Sequence, residues 1–208
     1  MVDLVGNWRL NTRMQKIYLF DADGVVVAPR EKYFSQRYAV DYGVSGDVIM
    51  PLFKNEFGDC VIGKKELSEV LKGYVGRWQW HGTIDELLEY WWAGENKRNE
   101  PVLQVIQKLR VGGALCYLAT DQVKERKEYL LRRVGLEKEF DGTFFSSDLG
   151  TTKDTEAYWH KVLAALGNPD PARVSFWDDE PENVKAAKAV GIDAYLFTTL
   201  EEMEKAIM

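Results

Sequence analysis

The hydrophobic pattern of the chain changes character twice. Ile17-Tyr18-Leu19-Phe20 is a short unbroken apolar run, which suits a strand buried on both faces of a sheet. From about Arg30 to Gly94 the apolar residues recur at helical spacing and no strand is predicted. Tyr33, Phe34, Tyr38 and Val40 are expected to line one helix that stops near Gly43. Met50, Leu52, Phe53 and Phe57 form a second apolar segment, and Leu67, Val70 and Leu71 share a face after Gly63. The best-marked helix of this stretch opens on a capping box, Thr83 and Glu86, followed by Leu87, Leu88, Trp91 and Trp92.

From Pro101 helices and apolar runs alternate. A helix carrying Val102, Val105, Ile106 and Leu109 has proline in its first turn and ends at Gly112-Gly113. Ala114 to Ala119 reads as a buried strand, Gln122 to Val134 as a helix stopped by Gly135, and Thr143-Phe144-Phe145 as a short strand. A helix from Asp154 to Leu166, a strand Val174 to Trp177, a helix Glu182 to Val190 and a strand Ala194 to Phe197 follow. Thr199 and Glu202 can cap a last helix. This alternation predicts an α/β fold: a doubly wound, parallel-sheet (Rossmann-like) core with an all-helical insertion directly after the first strand. The expected boundaries are 15–28 and 96–208 for the core, 29–95 for the insertion and 1–14 for an N-terminal extension, with Met14 an alternative start.

The chemistry-bearing residues collect at the carboxyl ends of the expected strands. The first strand runs into Asp21-Ala22-Asp23-Gly24, the second into Thr120-Asp121, the third through Ser146-Ser147-Asp148 to Lys153, and the fourth into Asp178-Asp179 with Asn183 just beyond. Alone, each has an ordinary explanation: an Asp-Gly turn, a helix N-cap, a solvated lysine. In a parallel sheet, however, these ends share one edge, where open α/β sheets bind ligands. Several carboxylates converging on a partly dry site require a compensating cation. Oxygen-only donors suit a hard ion, and Mg²⁺ is the common choice where phosphate also binds. Lys153 and the Thr120 hydroxyl are then suitable partners for a phosphoryl group.

Composition narrows the function classes. The 208 residues are 46% hydrophobic and 29% charged, with a net charge of -6. No basic run points to nucleic acid, and no apolar run is long enough to span a membrane. Asp3, Asn7, Arg9 and Arg13 interrupt any leader-like apolar stretch. Cys60 and Cys116 lack metal-type spacing, which favours a reduced, cytoplasmic setting. A monomer or dimer is expected. Lys54, Lys64, Lys65 and Arg77 are cations of the insertion with the reach to touch a substrate, most of them expected to be solvated surface. Trp78, Trp80, Trp91 and Trp92 sit at core-like spacing, and His81 and His160 have no visible catalytic partner.

The ordered set Asp21-Ala22-Asp23-Gly24-Val25, Thr120, Lys153 and Asp178-Asp179 with Asn183 resembles the haloacid dehalogenase superfamily, from Lys16 onward. The helical insertion is similar to that superfamily's small cap. The resemblance implies Asp21 as nucleophile, Asp23 as general acid/base, Thr120 as a phosphoryl ligand and Lys153 as the cation steadying nucleophile and phosphate. It implies Mg²⁺ held by Asp21, the Asp23 carbonyl and Asp179, with Asp178 in support. Asp121 and Asp154 depart from the family pattern, which often has asparagine and proline at these places. The implied activity is Mg²⁺-dependent hydrolysis of a small phosphorylated metabolite, a sugar phosphate being favoured, through an aspartyl-phosphate. The alternatives are a sugar-phosphate mutase of the same superfamily, a metal-free 2-haloacid dehalogenase, which Asp23 and Asp179 together oppose, and a binding protein that keeps the fold.

Overall fold

A computed structural model describes residues 15–207; the expected extension 1–14 lies outside them. Five parallel strands form one sheet: β1 (Ile17–Phe20), β2 (Leu115–Thr120), β3 (Gly142–Phe145), β4 (Val174–Asp178) and β5 (Asp193–Leu196), in the order β3-β2-β1-β4-β5. The doubly wound α/β prediction therefore holds. β2 starts and ends one residue later than the apolar run predicted, because Thr120 continues the ladder opposite Phe145.

Alternation along β1 sends its side chains to two separate apolar clusters. Ile17 and Leu19 join Val174, Phe176, Trp159 and Val162 on one face. Tyr18 and Phe20 join Trp177, Val102, Ile106 and Leu130 on the other. The first face is covered by α9 (Glu156–Ala165) and α10 (Pro181–Ala189). The second is covered by α6 (Glu100–Val111), by Val123, Tyr129 and Leu130 on either side of α7 (Lys124–Glu128), and by α11 (Leu200–Ile207). Each fully buried Leu or Phe contributes roughly 1.5–3 kcal/mol, so a central strand with four buried residues anchors both layers.

Between β1 and α6 lie only helices: α1 (Phe34–Tyr42), α2 (Gly46–Asn55), α3 (Phe57–Val61), α4 (Leu67–Leu71) and α5 (Ile84–Ala93). Their core is aromatic. Phe34 stacks on Trp91 with centroids 4.2 Å apart, and Trp78 is fully buried among Phe34, Tyr38 and Tyr74. The predicted face of α1 is narrower than its apolar residues imply: Phe34 and Tyr38 are buried, whereas Tyr33 and Val40 are 60% and 71% exposed. Tyr33 precedes the first helical turn, and Val40 is two positions from Tyr38, on another side of the helix. The segment's two ends lie side by side, since the Ala28 amide donates to the Lys97 carbonyl and the Asn99 amide to the Val26 carbonyl.

The helix expected over 122–134 is interrupted. It is α-helical over Lys124–Glu128 and π-helical over Tyr129–Arg133, where Tyr129 packs on Trp92 and its hydroxyl accepts from Asn96. The break falls where the chain meets Trp92 of the helical segment and Asn96 just beyond it. A short helix, α8 (Ser146–Leu149), leads from β3 toward Lys153, and the Ser146 hydroxyl donates to the Val61 carbonyl.

The Thr83–Glu86 capping box is formed: the Thr83 hydroxyl accepts the Glu86 amide and the Glu86 carboxylate accepts the Thr83 amide. Thr83→Ala is expected to destabilise the protein by about 1 kcal/mol, read as a lower urea midpoint with an unchanged slope. A larger loss, or a changed slope, would mean that α5 is anchored differently.

Candidate active site

The register carries Phe20 opposite both Leu118 and Trp177, so β1 delivers Asp21 to the sheet edge beside the end of β4. The Asp21 amide donates to the Trp177 carbonyl at 2.9 Å, and the side chain is almost fully buried. Lys153, also buried, reaches across: its Nζ lies 2.5 Å from Asp21 Oδ1 and 2.7 Å from Asp178 Oδ2. Asp178 is fully buried and further satisfied by the Asn183 amide and the Glu180 backbone N–H.

These charges do not balance one another. Burial raises the Asp21 carboxyl well above its usual range; Lys153 opposes the rise and Asp178 adds to it. Asp179 is raised too, by burial and by the Asp178 and Glu180 charges. For Lys153 burial acts downward, but Asp21, Asp178 and Asp121 overrule it and hold the ammonium charged. One lysine thus faces Asp21, Asp178 and Asp179, whose carboxylate oxygens lie within 4.8 Å of one another. Gly24 closes the site from above. Its φ is +84°, and a β-carbon there would meet Asp179 Oδ2 at 2.0 Å, so only glycine lets the backbone approach this carboxylate. A cluster of oxygen donors with excess negative charge fits a hard divalent cation.

A polar cleft of about 520 Å³ brings together Asp21, Asp23, Thr120, Asp121, Lys153 and Asp179. Asp178 lies beneath it. Asp23 does not join the carboxylate cluster with its side chain. Its Oδ1 accepts from Arg126 Nη2 at 2.8 Å and its Oδ2 from Gln122 Nε2 at 3.0 Å, with Arg30 3.4 Å away. Burial alone would raise Asp23, but Arg126 and Arg30 overrule it and hold the carboxyl below its ordinary value. Arg126 is itself buried, donating to the Glu95 carbonyl, and the Glu95 carboxylate lies within 4 Å of both arginines.

Sequence reading missed Arg126, Gln122, Glu95 and Arg30. One signal was present: Val123, Arg126 and Leu130 share a helical face, and a charge on a buried face needs a buried partner. Conversely, Lys54, Lys64, Lys65 and Arg77 are exposed and line neither the polar cleft nor the cavity beside it. Trp78, Trp91 and Trp92 are core, the last two also facing the cavity beside Asp23. The departures are accounted for locally. Asp121 accepts the Lys153 backbone N–H, and exposed Asp154 accepts from Thr152.

A family model described as a haloacid dehalogenase-like hydrolase matches residues 15–191. The chain belongs to the haloacid dehalogenase-like hydrolases. Within this family it is 28% identical over 184 residues to a phosphorylated carbohydrates phosphatase of Thermotoga maritima, covering 84% of this chain and 81% of the relative. Two solved structures share the haloacid dehalogenase fold. One is an enzyme of the family from Bacteroides thetaiotaomicron in complex with magnesium and inorganic phosphate (TM-score 0.78, 18% identity, 93% of this chain and 100% of that one). The other is a 2-haloacid dehalogenase from Pseudomonas syringae pv. Tomato DC3000 (TM-score 0.64, 16% identity, 88% and 86%). No helix among the described residues is long and apolar enough to cross a membrane.

Burial pushes the Asp121 carboxyl up to about 6, against the pull of Lys153, from an ordinary 3.8. The folded chain therefore holds an extra proton between about pH 4 and 6 and loses stability as pH rises through that window. Asp121→Asn keeps an oxygen acceptor for the Lys153 amide without the charge. It is expected to raise stability at pH 7.5 by about 1–2 kcal/mol, allowing for partial solvent screening, and to leave it nearly unchanged at pH 4. Urea unfolding at the two pH values measures the difference.

Proposed function

We propose that this hydrolase is a Mg²⁺-dependent phosphomonoesterase acting on a small phosphorylated metabolite. The observation that carries this reading is the buried Asp21–Lys153–Asp178 arrangement with Asp179 close beside it at the sheet edge. It joins a carboxylate nucleophile, a fixed cation and a donor set for a hard metal ion. The magnesium and phosphate in the Bacteroides enzyme support the same reading, as does the Thermotoga phosphatase, whose phosphorylated carbohydrates fall within this substrate class. Residues 29–95 act as the cap over the site.

In this reading Asp21 and Asp179 would hold the ion through their carboxylates, with the Asp23 carbonyl as a further ligand and Asp178 in support. When bound, the ion would supply positive charge against the phosphoryl oxygens, which an anionic nucleophile would otherwise repel. At ~4 Å two like charges interact by about 4 kcal/mol at an effective dielectric near 20, so charge neutralisation is a precondition for attack. Lys153 and the Thr120 hydroxyl hold the phosphoryl group in line with Asp21. The Asp21 carboxylate then forms a bond to phosphorus as the ester P–O bond breaks, and Asp23 gives a proton to the departing oxygen from its minor protonated form, which Arg126 and Arg30 keep scarce in the free protein. In the second displacement Asp23 takes a proton from water, which attacks the aspartyl-phosphate and frees Asp21 and inorganic phosphate. Arg126 and Gln122 fix the two Asp23 oxygens for these transfers.

Two measurements test this. Excess chelator is expected to abolish turnover and added Mg²⁺ to restore it, and Asp179→Ala is expected to lose most Mg²⁺-dependent activity while remaining folded. Full turnover in chelator would overturn the metal assignment. Asp21→Asn should form no phosphoenzyme with any ester. Asp23→Ala given nitrophenyl phosphate, whose leaving group needs no proton, should release a burst of nitrophenol and then slow by ~10²–10⁴, with phosphate trapped on Asp21. Rapid-quench kinetics with mass spectrometry reads both; equal losses on nitrophenyl and alkyl esters, with no burst, would remove Asp23 from its role.

A further inference from the structure

A second cavity, of about 480 Å³, lies between the helical segment and the core. It shares Asp23, Arg30, Tyr33, Asp121 and Gln122 with the polar cleft, so the two volumes meet at Asp23. Their walls are chemically opposite. Away from Asp23 the second cavity is bounded by Phe34, Met50, Phe53, Phe57, Val61 and Trp91. The rings brace one another: Phe57 stacks on Trp91 at 5.7 Å, Phe53 meets Trp91 edge-on at 5.5 Å, and Phe53 lies 5.2 Å from Phe57. Met50, Phe53, Phe57 and Val61 remain only partly buried, so they present apolar surface to the cavity.

The polar groups at the Asp23 end are paired in part, the buried Arg126 Nε and Nη1 being left without a hydrogen-bond acceptor. Arg30 lies against Asp23 and Glu95, Arg126 donates to Asp23 and to the Glu95 carbonyl, and Gln122 donates to Asp23 and Thr120. Hydroxyls pushed deeper would leave water for a wall of carbon atoms, and each left unpaired lowers affinity by about 10- to 100-fold. A ring or branched apolar group gains there instead, by area burial and ring contact.

Resting on the phosphomonoesterase reading, we propose that this cavity binds the alcohol portion of the substrate, and that this portion is apolar or aromatic rather than polyhydroxylated. The connectivity of an ester supports it. The bridging oxygen carries phosphorus on one side and carbon on the other. With phosphorus at Asp21 and the bridging oxygen at Asp23, the carbon side continues past Asp23 into the aromatic cavity. Phe53, Phe57 and Met50 are then the specificity-determining residues of the helical segment.

2-Phenylethyl phosphate and glucose 6-phosphate are both primary alkyl esters, so their leaving groups need similar help and their kcat/KM ratio reports the fit of the alcohol. The phenylethyl ester is expected to be favoured by about tenfold or more. Phe57→Ala should cut that ratio by about tenfold and Phe57→Leu should restore most of it; Met50→Gln should lower the ratio if Phe57→Ala does not fold. A non-hydrolysable phenylpropylphosphonate should quench tryptophan fluorescence through Trp91, and a hydroxylated phosphonate of equal length should not compete with it. Glucose 6-phosphate turned over as well as the aromatic ester, or a ratio indifferent to Phe57 and Met50, overturns the cavity assignment and leaves the phosphatase reading intact. Saturable binding of the aromatic phosphonate without hydrolysis of any ester does the reverse.

Discussion

The buried ammonium of Lys153 is the constraint around which the site is built. It lies between Asp21 and Asp178 at hydrogen-bond distance from each. Removing either carboxylate leaves a buried charge short of a partner, and losses of this kind run to about 3–5 kcal/mol. The lysine must therefore arrive accurately, and much of the local structure ensures this. The Lys153 backbone N–H is held by Asp121, its carbonyl accepts from the Trp159 indole, and Trp159 is locked into the apolar layer against Phe176. A charge at the sheet edge is thus positioned by packing beneath the sheet. The catalytic end of the molecule and its second hydrophobic layer form one mechanical unit.

The strand-end residues were legible in the sequence because parallel β topology turns order along the chain into proximity in space. Once the runs at Ile17, Leu115, Thr143 and Val174 are read as parallel strands, Asp21, Thr120, Lys153 and Asp178-Asp179 have one edge to share. Helix stops at Gly43 and Gly135 and the Thr83 cap were legible for a similar reason, since each depends on a few neighbouring residues. What escaped depends on contacts between distant segments. Arg126 meets Asp23 across 103 positions and Glu95 across 31, and no local pattern encodes those pairings. The π-helical turn at Tyr129 likewise lies against distant residues, Trp92 and Asn96. Lys54, Lys64, Lys65 and Arg77 of the helical segment, expected mostly at the solvated surface, are exposed there. Long charged side chains advertise reach, but solvent is their cheapest partner, and the surface facing the site is aromatic.

The helical segment is tied to the sheet through more than its two connections. One apolar cluster runs from Tyr18 and Phe20 through Val25 and Trp92 to Phe34 and Trp78. Gly63 approaches the Ser147 carbonyl so closely that a β-carbon would stand 2.1 Å from it. Phe34, Leu67, Trp91 and Trp92 of this apolar cluster also line the aromatic cavity, so the wall and the core are packed as one. A preformed wall spares a ligand the entropy of assembling it.

The two ends of that segment, hydrogen-bonded to each other through Ala28–Lys97 and Asn99–Val26, carry an evolutionary implication. Because they are already neighbours, the chain length between them is almost invisible to the sheet: doubling a closed loop adds only about 0.6 kcal/mol of closure entropy. Helices can be lengthened, lost or exchanged in this interval while Asp21 and Lys153 stay in place. Change in the inserted helices is thereby uncoupled from the sheet edge, where Asp21, Lys153 and Asp178 each depend on the others' charge.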